Sequence, residues 1–372
     1  MAAGVDALFT DDPARPAFFV AFADVMRGAA ARPITQTLDA IREFERTERA
    51  RLAQLEPIGP AASYTAGVLA DIVTRFEHRQ KTGEDAIGHK TGFPRLDRIL
   101  GGLDKGRLTV LLAAPGAGKT TLSNQLAAHV AANGAPVLYV TFENSREDLI
   151  AKQIARLAGK SAGDVRRGAI DPAALTQAIA TFQAGAGQRL YYIAGDANTT
   201  IDTLTAALEQ LTRNHPGSYP VLVVDFLQRL ATTSNPAARG SGLDDMRGRV
   251  GIIAQQLRGL ANDTGCHVWA ISSTNRAAYD GDKAKPGLAS ARESGDIEFA
   301  ADAVLTLAPA QGENLSMTTD PFILAVAKNR HGESGRVDLA REKHTMRFAE
   351  SEARVKTVFA TVAVCGLTGP SA

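Results

Sequence analysis

The stretch Leu108-Thr-Val-Leu-Leu-Ala-Ala-Pro-Gly-Ala-Gly-Lys-Thr-Thr-Leu122 constrains this chain more than any other. A run of β-formers ends in a loop of small residues, and an apolar-periodic helix follows at once. Strand, glycine loop and helix in that order are the setting a phosphate-binding P-loop requires. The residue types have physical reasons. Gly116 and Gly118 let backbone N–H groups turn inward around phosphate oxygens, within a cradle running through Pro115, Gly116, Ala117, Gly118, Lys119, Thr120 and Thr121. Lys119 can reach the β- and γ-phosphates of ATP, and Thr120 can hold Mg2+. The positive end of a helix starting near Lys119 adds to anion binding. Ala113 stands where the eight-residue pattern has its first glycine.

The rest of the chain supplies a framework for that loop. Apolar runs at 137–142, 189–193, 220–225, 268–272, 303–307, 322–327 and 336–339 are predicted strands, with a hairpin turn near His331-Gly332. Helical patterns fall at 96–100, 119–132, 146–157, 202–213 and 245–264, and 160–187 reads as helices with loops. Alternating buried strands and helices predict an α/β fold with a mainly parallel sheet covered on both faces. Such sheets bind ligands beyond the carboxyl ends of their strands. Lys119, Glu143, Asp225 and Asn275 all follow strands.

Two of these residues are carboxylates. Asp225 closes a buried strand, where it serves either as a Mg2+ ligand through water or as a turn residue. Glu143 serves either to orient and deprotonate an attacking water or as a helix-start acid favoured by the macrodipole.

Composition bounds the partners. A length of 372 residues allows one large domain with an appendage, or two domains. A net charge of +1 means that any nucleic-acid contact comes from local clusters. Two cysteines build neither a disulfide framework nor a zinc site, and Cys266 reads as core. No apolar stretch approaches the roughly 18 residues of a membrane span. The N-terminus carries Asp6, Asp11 and Asp12 and lacks a signal pattern. The expectation is a cytoplasmic protein with no membrane contact.

Ahead of the α/β core, 34–56 reads as a charged helix and 64–82 as a second one. They form a packed pair, or the second is a linker that docks on a neighbouring subunit. The expected division is a short helical, partly disordered region over 1–63, a linker helix over 64–88, the motor over 89–350 and a tail over 351–372.

Further motifs appear in order: Thr91-Gly-Phe with Leu96-Asp97 and Gly102-Leu103, the P-loop, Thr141-Phe-Glu-Asn-Ser145, Val223-Val-Asp-Phe-Leu-Gln228, Ser272-Ser-Thr-Asn-Arg276, Arg292-Glu-Ser-Gly-Asp-Ile-Glu298 with Ala301-Asp302, and Ala327-Lys-Asn-Arg-His-Gly332. Together they resemble the RecA-type motor domain of DnaB-like replicative helicases over about residues 68–348. The resemblance implies a RecA-like P-loop NTPase core that hydrolyses ATP with Mg2+ and moves along single-stranded DNA. It implies assembly as a homo-oligomer, a hexameric ring, with a primase or loader protein as a further partner. Glu143 matches the catalytic glutamate and Asp225 the Mg2+ aspartate. Lys328 and Arg330 match the lysine and arginine finger that reach the γ-phosphate across a subunit boundary. Ala113 matches the family's own habit.

Departures matter too. Ser273 stands where the family has a γ-phosphate-sensing glutamine, beside Asn275. The family's larger N-terminal helical domain is not visible, so a reduced N-terminus is expected. Two Gly-containing loops are candidates for DNA contact: 231–247 with Arg239 and Arg247, and 279–291 with Lys283 and Lys285 and with Arg292 behind. Otherwise they are solvated surface loops. The rival reading is a RecA-fold ATPase switch or adaptor of a mobile-element or defence complex that binds partner proteins without unwinding DNA.

Overall fold

The computed structural model describes residues 73–75, 77–78, 80–83, 87–233, 243–273, 295–310 and 316–351. The α/β fold lies within Glu77–Ala372, one of two units into which the chain divides; the other is Met1–Phe76. The expected helix at 34–56 and the tail lie outside the described residues. Of the expected second helix, 73–75, 77–78 and 80–82 are helical.

The core opens with α1 (Pro94–Leu100), which starts two residues before the apolar pattern suggests. Proline is tolerated in a first turn, where its missing N–H has no partner to lose. From across the fold, Glu350 Oε1 accepts from Arg95 N at 2.7 Å and ties this helix end down. Then β1 (Arg107–Ala113) leads through the P-loop into α2 (Lys119–Ala132). Next come β2 (Val137–Thr141), α3 (Arg146–Leu157), α4 (Ala162–Arg166), α5 (Pro172–Ala184), β3 (Leu190–Ala194) and α6 (Ile201–Asn214). The second half holds β4 (Val221–Asp225), α7 (Leu227–Thr233), α8 (Leu243–Thr264), β5 (His267–Ser273) and α9 (Gly295–Ala300). It closes with β6 (Ala303–Pro309), β7 (Thr319–Asn329), β8 (Gly335–Glu342) and β9 (Phe348–Glu350).

The described strands make one nine-stranded sheet in the order β3-β2-β4-β5-β1-β6-β7-β8-β9. From β3 to β6 all pairs are parallel. From β6 to β9 they are antiparallel. All the parallel strands but the edge strand β3 are buried on both sides along most of their length, and alternate residues serve two cores. One core joins Leu111, Tyr139, Val223 and Trp269 to Leu122 and Leu126 of α2. The other joins Val110, Leu138, Val224 and Ala270 to Leu208 of α6 and Leu257 of α8. Each fully buried aliphatic or aromatic side chain contributes about 1.5–3 kcal/mol of driving force. Cys266 is fully buried, as expected, and burial pushes its thiol up to about 12.

Two elements depart from the sequence pattern. The expected loop over 231–247 is interrupted: Ala231 belongs to α7, whose Leu227, Leu230 and Ala231 are buried on one face, and α8 already begins at Leu243. Arg247 therefore lies on a helix, not in a loop. The short strand β9 also had no separate signal, because three residues carry too little alternation to read.

Candidate nucleotide site

The carboxyl ends of β1, β2, β4 and β5 bring the predicted residues together. Ala113 closes β1 in register with Ser273 and is fully buried. Being a strand residue, it has no need of the freedom a glycine would give. That freedom is used further on, at Gly116 (φ +82°) and Gly118 (φ +94°), where side chains are strained. Gly118 is also the N-cap of α2. A Cβ there would lie 3.0 Å from Phe348 Cζ, so the P-loop rests directly on β9.

Lys119 Nζ donates to the carbonyls of Ala113 at 2.9 Å and Ala114 at 3.0 Å. Burial lowers its pKa, while Asp225 and Glu143 act in the opposite direction. A partly buried ammonium held by neutral carbonyls suits an arriving phosphate.

Asp225 is 2% exposed. Burial raises its pKa; hydrogen bonds from Thr120 and Tyr139 lower it, and the charge of Glu143 raises it again. Tyr139 Oη donates to Asp225 Oδ2 at 2.9 Å. A buried carboxylate beside a threonine hydroxyl and a second carboxylate is a hard-oxygen set that a Mg2+ ion relieves of excess negative charge. Thr120 and Asp225 thus fit the cation the sequence implies.

Glu143 is exposed, in a turn that its neighbours fix. Thr141 Oγ1 accepts from Asn144 N at 3.1 Å and donates to Asn144 O at 3.0 Å. Ser145 caps α3, accepting from Asp148 N at 3.0 Å. Phe142 N donates to Asp225 O at 2.9 Å. On its other side Phe142 lies against Gly195, where a Cβ would fall 2.4 Å from the ring.

Ser273 ends β5, and its backbone is held by Gln228 of α7. Gln228 Nε2 donates to Ser273 O at 3.1 Å and to Ser272 Oγ at 2.9 Å. Gln228 ends the motif that begins at Val223, and only the neighbouring α7 and β5 show what its side chain holds.

Lys328 and Arg330 are apart from this group. Lys328 Nζ donates to Glu298 O and, at 3.0 Å, to Ala301 O; Arg330 Nη2 donates to Phe299 O. Both cations thus sit on carbonyls of the last turn of α9 and of Ala301 just beyond it, where a helix end favours positive charge. Asp302 holds the same hairpin to the sheet. Its Oδ2 accepts from Leu108 N at 2.8 Å, and its backbone carbonyl accepts from Arg330 N at 2.8 Å. Arg239, Lys283, Lys285, Arg292 and Asn275 lie outside the described residues. Among the described helices none is long and apolar enough to cross a membrane.

Known proteins resemble this chain in sequence and in fold. A probable plasmid replicative DNA helicase of Chlamydia psittaci is 27% identical over 271 residues, which are 72% of this chain and 57% of that protein. The chain therefore spans little more than half the length of that relative. One solved ATPase domain superposes with a TM-score of 0.66 at 22% identity, covering 77% of this chain and 99% of its own. A DnaB-like replicative helicase, solved in a study of its interactions with primase, gives a TM-score of 0.70 at 21% identity, covering 90% of this chain and 75% of its own. At these identities the two structures speak for the RecA-like fold. Residues 88–350, which carry every element from β1 to β9, match the DnaB-like helicase C-terminal domain, and the chain belongs to that family.

Proposed function

We propose that this chain is the ATP-hydrolysing motor of a ring-forming DNA helicase that moves along single-stranded DNA. The observation that carries the reading is the convergence of Lys119, Thr120, Asp225 and Glu143 at the ends of three neighbouring elements, with Lys119 and Asp225 both shifted by burial. Backbone N–H groups from Gly116 to Thr121 cradle the phosphates. Lys119 gives up its two carbonyls for the β- and γ-oxygens. Thr120 and Asp225 hold Mg2+, which when bound neutralises charge on the β- and γ-phosphates. Glu143 orients a water in line with the γ-phosphorus and takes its proton as the bond to the β,γ-bridging oxygen breaks.

Lys328 and Arg330 complete the charge from a neighbouring subunit, leaving the α9 carbonyls to do so. Hydrolysis then depends on assembly, with a hexamer as the expected ring. Ser273, with Asn275, occupies the sensor position, and Gln228 tracks its backbone. Arg239, Lys283, Lys285 and Arg292, with Arg247 on α8, are the candidate contacts to the DNA backbone. The division into 1–63, a linker helix over 64–88, the motor over 89–350 and a tail over 351–372 belongs to the same reading. So do a cytoplasmic setting and a primase or loader partner, a DnaB-like helicase having been solved in a study of its interactions with primase.

A second reading, an ATP-driven switch that binds partner proteins without unwinding DNA, draws on Lys328 and Arg330 being satisfied within their own chain. Steady-state ATPase rates with and without single-stranded DNA, with molecular mass recorded in the same Mg2+–ATP buffer, separate the two. Strong stimulation in a hexamer-sized particle supports the helicase. DNA-indifferent turnover by a monomer or dimer supports the switch.

A further inference from the structure

Tyr139 is among the largest fully buried side chains of the protein, and it directs its one hydroxyl to the carboxylate of Asp225. It occupies the middle of β2, opposite Val223 of β4 and two residues short of the aspartate in the same register. Residues two apart on a strand share a face, so the phenol runs along the sheet past Val223 to Asp225 Oδ2 at 2.9 Å. Its ring also rests against Tyr192 of β3, with centroids 5.5 Å apart.

Packing alone does not ask for this residue. Every other residue of β2 is buried as well, and Val137, Leu138 and Val140 fill their places with hydrocarbon. Burying a phenol is costly unless its hydroxyl finds a partner. Here the partner is the buried carboxylate of the candidate cation site. A phenol hydroxyl carries one proton and a carboxylate only accepts, so the hydroxyl is the donor here. Groups that hold a metal ligand by hydrogen bond orient it and tune its affinity.

We propose that Tyr139 is a positioning residue for the Mg2+ site: its hydroxyl fixes the rotation of the Asp225 carboxylate, so that the aspartate is oriented before the cation arrives beside Thr120. This rests on the nucleotide-site reading above. Tyr139 touches neither nucleotide nor cation itself. Its effect therefore falls on metal dependence and leaves metal-free nucleotide binding alone.

The test uses the full chain and a fluorescent, non-hydrolysable ATP analogue, with Mg2+ titrated from an EDTA-treated start. Tyr139→Phe keeps the ring and its contact with Tyr192 and removes only the hydroxyl. The expected result is unchanged binding in EDTA and a Mg2+ midpoint raised by about tenfold or more. Tyr139→Met removes the hydroxyl by a different route and is expected to shift the midpoint likewise. Tyr192→Phe, which loses a bond to Asn124 and none to Asp225, is expected to leave the midpoint where it was. A wild-type midpoint in Tyr139→Phe overturns the proposal. So does equal weakening with and without Mg2+, which would mark an ordinary packing role. If the wild-type chain shows no Mg2+-dependent binding, the nucleotide-site reading itself falls, and Tyr139 with it.

Discussion

Gln125 pairs with Phe348 as one strand pairs with another. Its Nε2 donates to Phe348 O at 2.7 Å, and its Oε1 accepts from Phe348 N at 3.0 Å. One side chain of α2 thus satisfies both backbone groups of a residue whose ring lies under the P-loop glycine. Phe348 in turn meets Phe322 edge-on, with centroids 5.4 Å apart, and Arg341 lies over the Phe322 ring at 4.6 Å. Gln125→Ala leaves both backbone groups of Phe348 without this partner. The expected loss of stability is about 1–3 kcal/mol, read as a lower urea midpoint at unchanged slope. A midpoint equal to wild type would show that β9 does not need this brace.

Arg330→Ala is expected to lower the hydrolysis rate by about a thousandfold or more, the usual worth of an arginine finger, with nucleotide affinity nearly intact. Lys119→Ala is expected to weaken nucleotide binding by about 1.5–3 kcal/mol, ten- to hundredfold. The decisive measurement mixes the two variants. Where a Lys119→Ala subunit presents its intact arginine to an Arg330→Ala subunit, activity returns. Mixtures as inactive as either variant alone would refute action across a subunit boundary, and normal turnover by Arg330→Ala would remove its role altogether.

Gly195→Ala puts a methyl group within 2.4–2.7 Å of the Phe142 ring. No such contact is tolerated, so the ring moves, and with it the turn that carries Glu143. Overpacking of this kind costs about 1–3 kcal/mol of stability. The sharper expectation is kinetic: kcat falls while nucleotide affinity stays. An unchanged kcat would mean that the glutamate is placed independently of Phe142.

His267 predicts an acid limit. Its Nδ1 donates to Asp104 O at 2.7 Å, while the buried Nε2 has no partner among the described residues. Burial holds the imidazole down from 6.5 to about 4. Between those values the unfolded chain binds a proton that the folded one refuses. Stability is therefore full above pH 6.5 and falls as the pH drops toward 4, by on the order of 3 kcal/mol in all. His89, lowered mainly by burial, acts in the same direction. Urea midpoints at pH 7 and pH 5 check this, with His267→Asn expected to flatten the difference. Equal wild-type midpoints would count against a buried neutral imidazole.

Much of this molecule is legible because its signals are local. The strand, glycine loop and helix around Lys119 mark a candidate phosphate cradle within one short stretch, and the buried strands that lead to Glu143 and Asp225 mark the sheet edge where the candidate site lies. What stays hidden depends on register and on distant partners. That Tyr139 reaches Asp225 follows only from β2 and β4 being neighbours in a particular alignment. That Gln125 meets Phe348 joins residues 223 positions apart. The helix α7 is concealed by its threonines, polar letters on a turn whose other face is fully buried.

The parallel ladder between β2 and β4 sets Val137 against Val221 and Thr141 against Asp225 without a break. Strands in such a ladder lie about 4.8 Å apart, and a slip of one residue would turn every side chain to the opposite face. Asp225 and Thr141, from which the turn carrying Glu143 departs, are therefore spaced by a rung, not by a hinge. In the proposed motor this block travels as a rigid chassis. Displacement has to be taken up at its rim, where the α9 carbonyls hold Lys328 and Arg330 by a handful of hydrogen bonds that can be exchanged one for another.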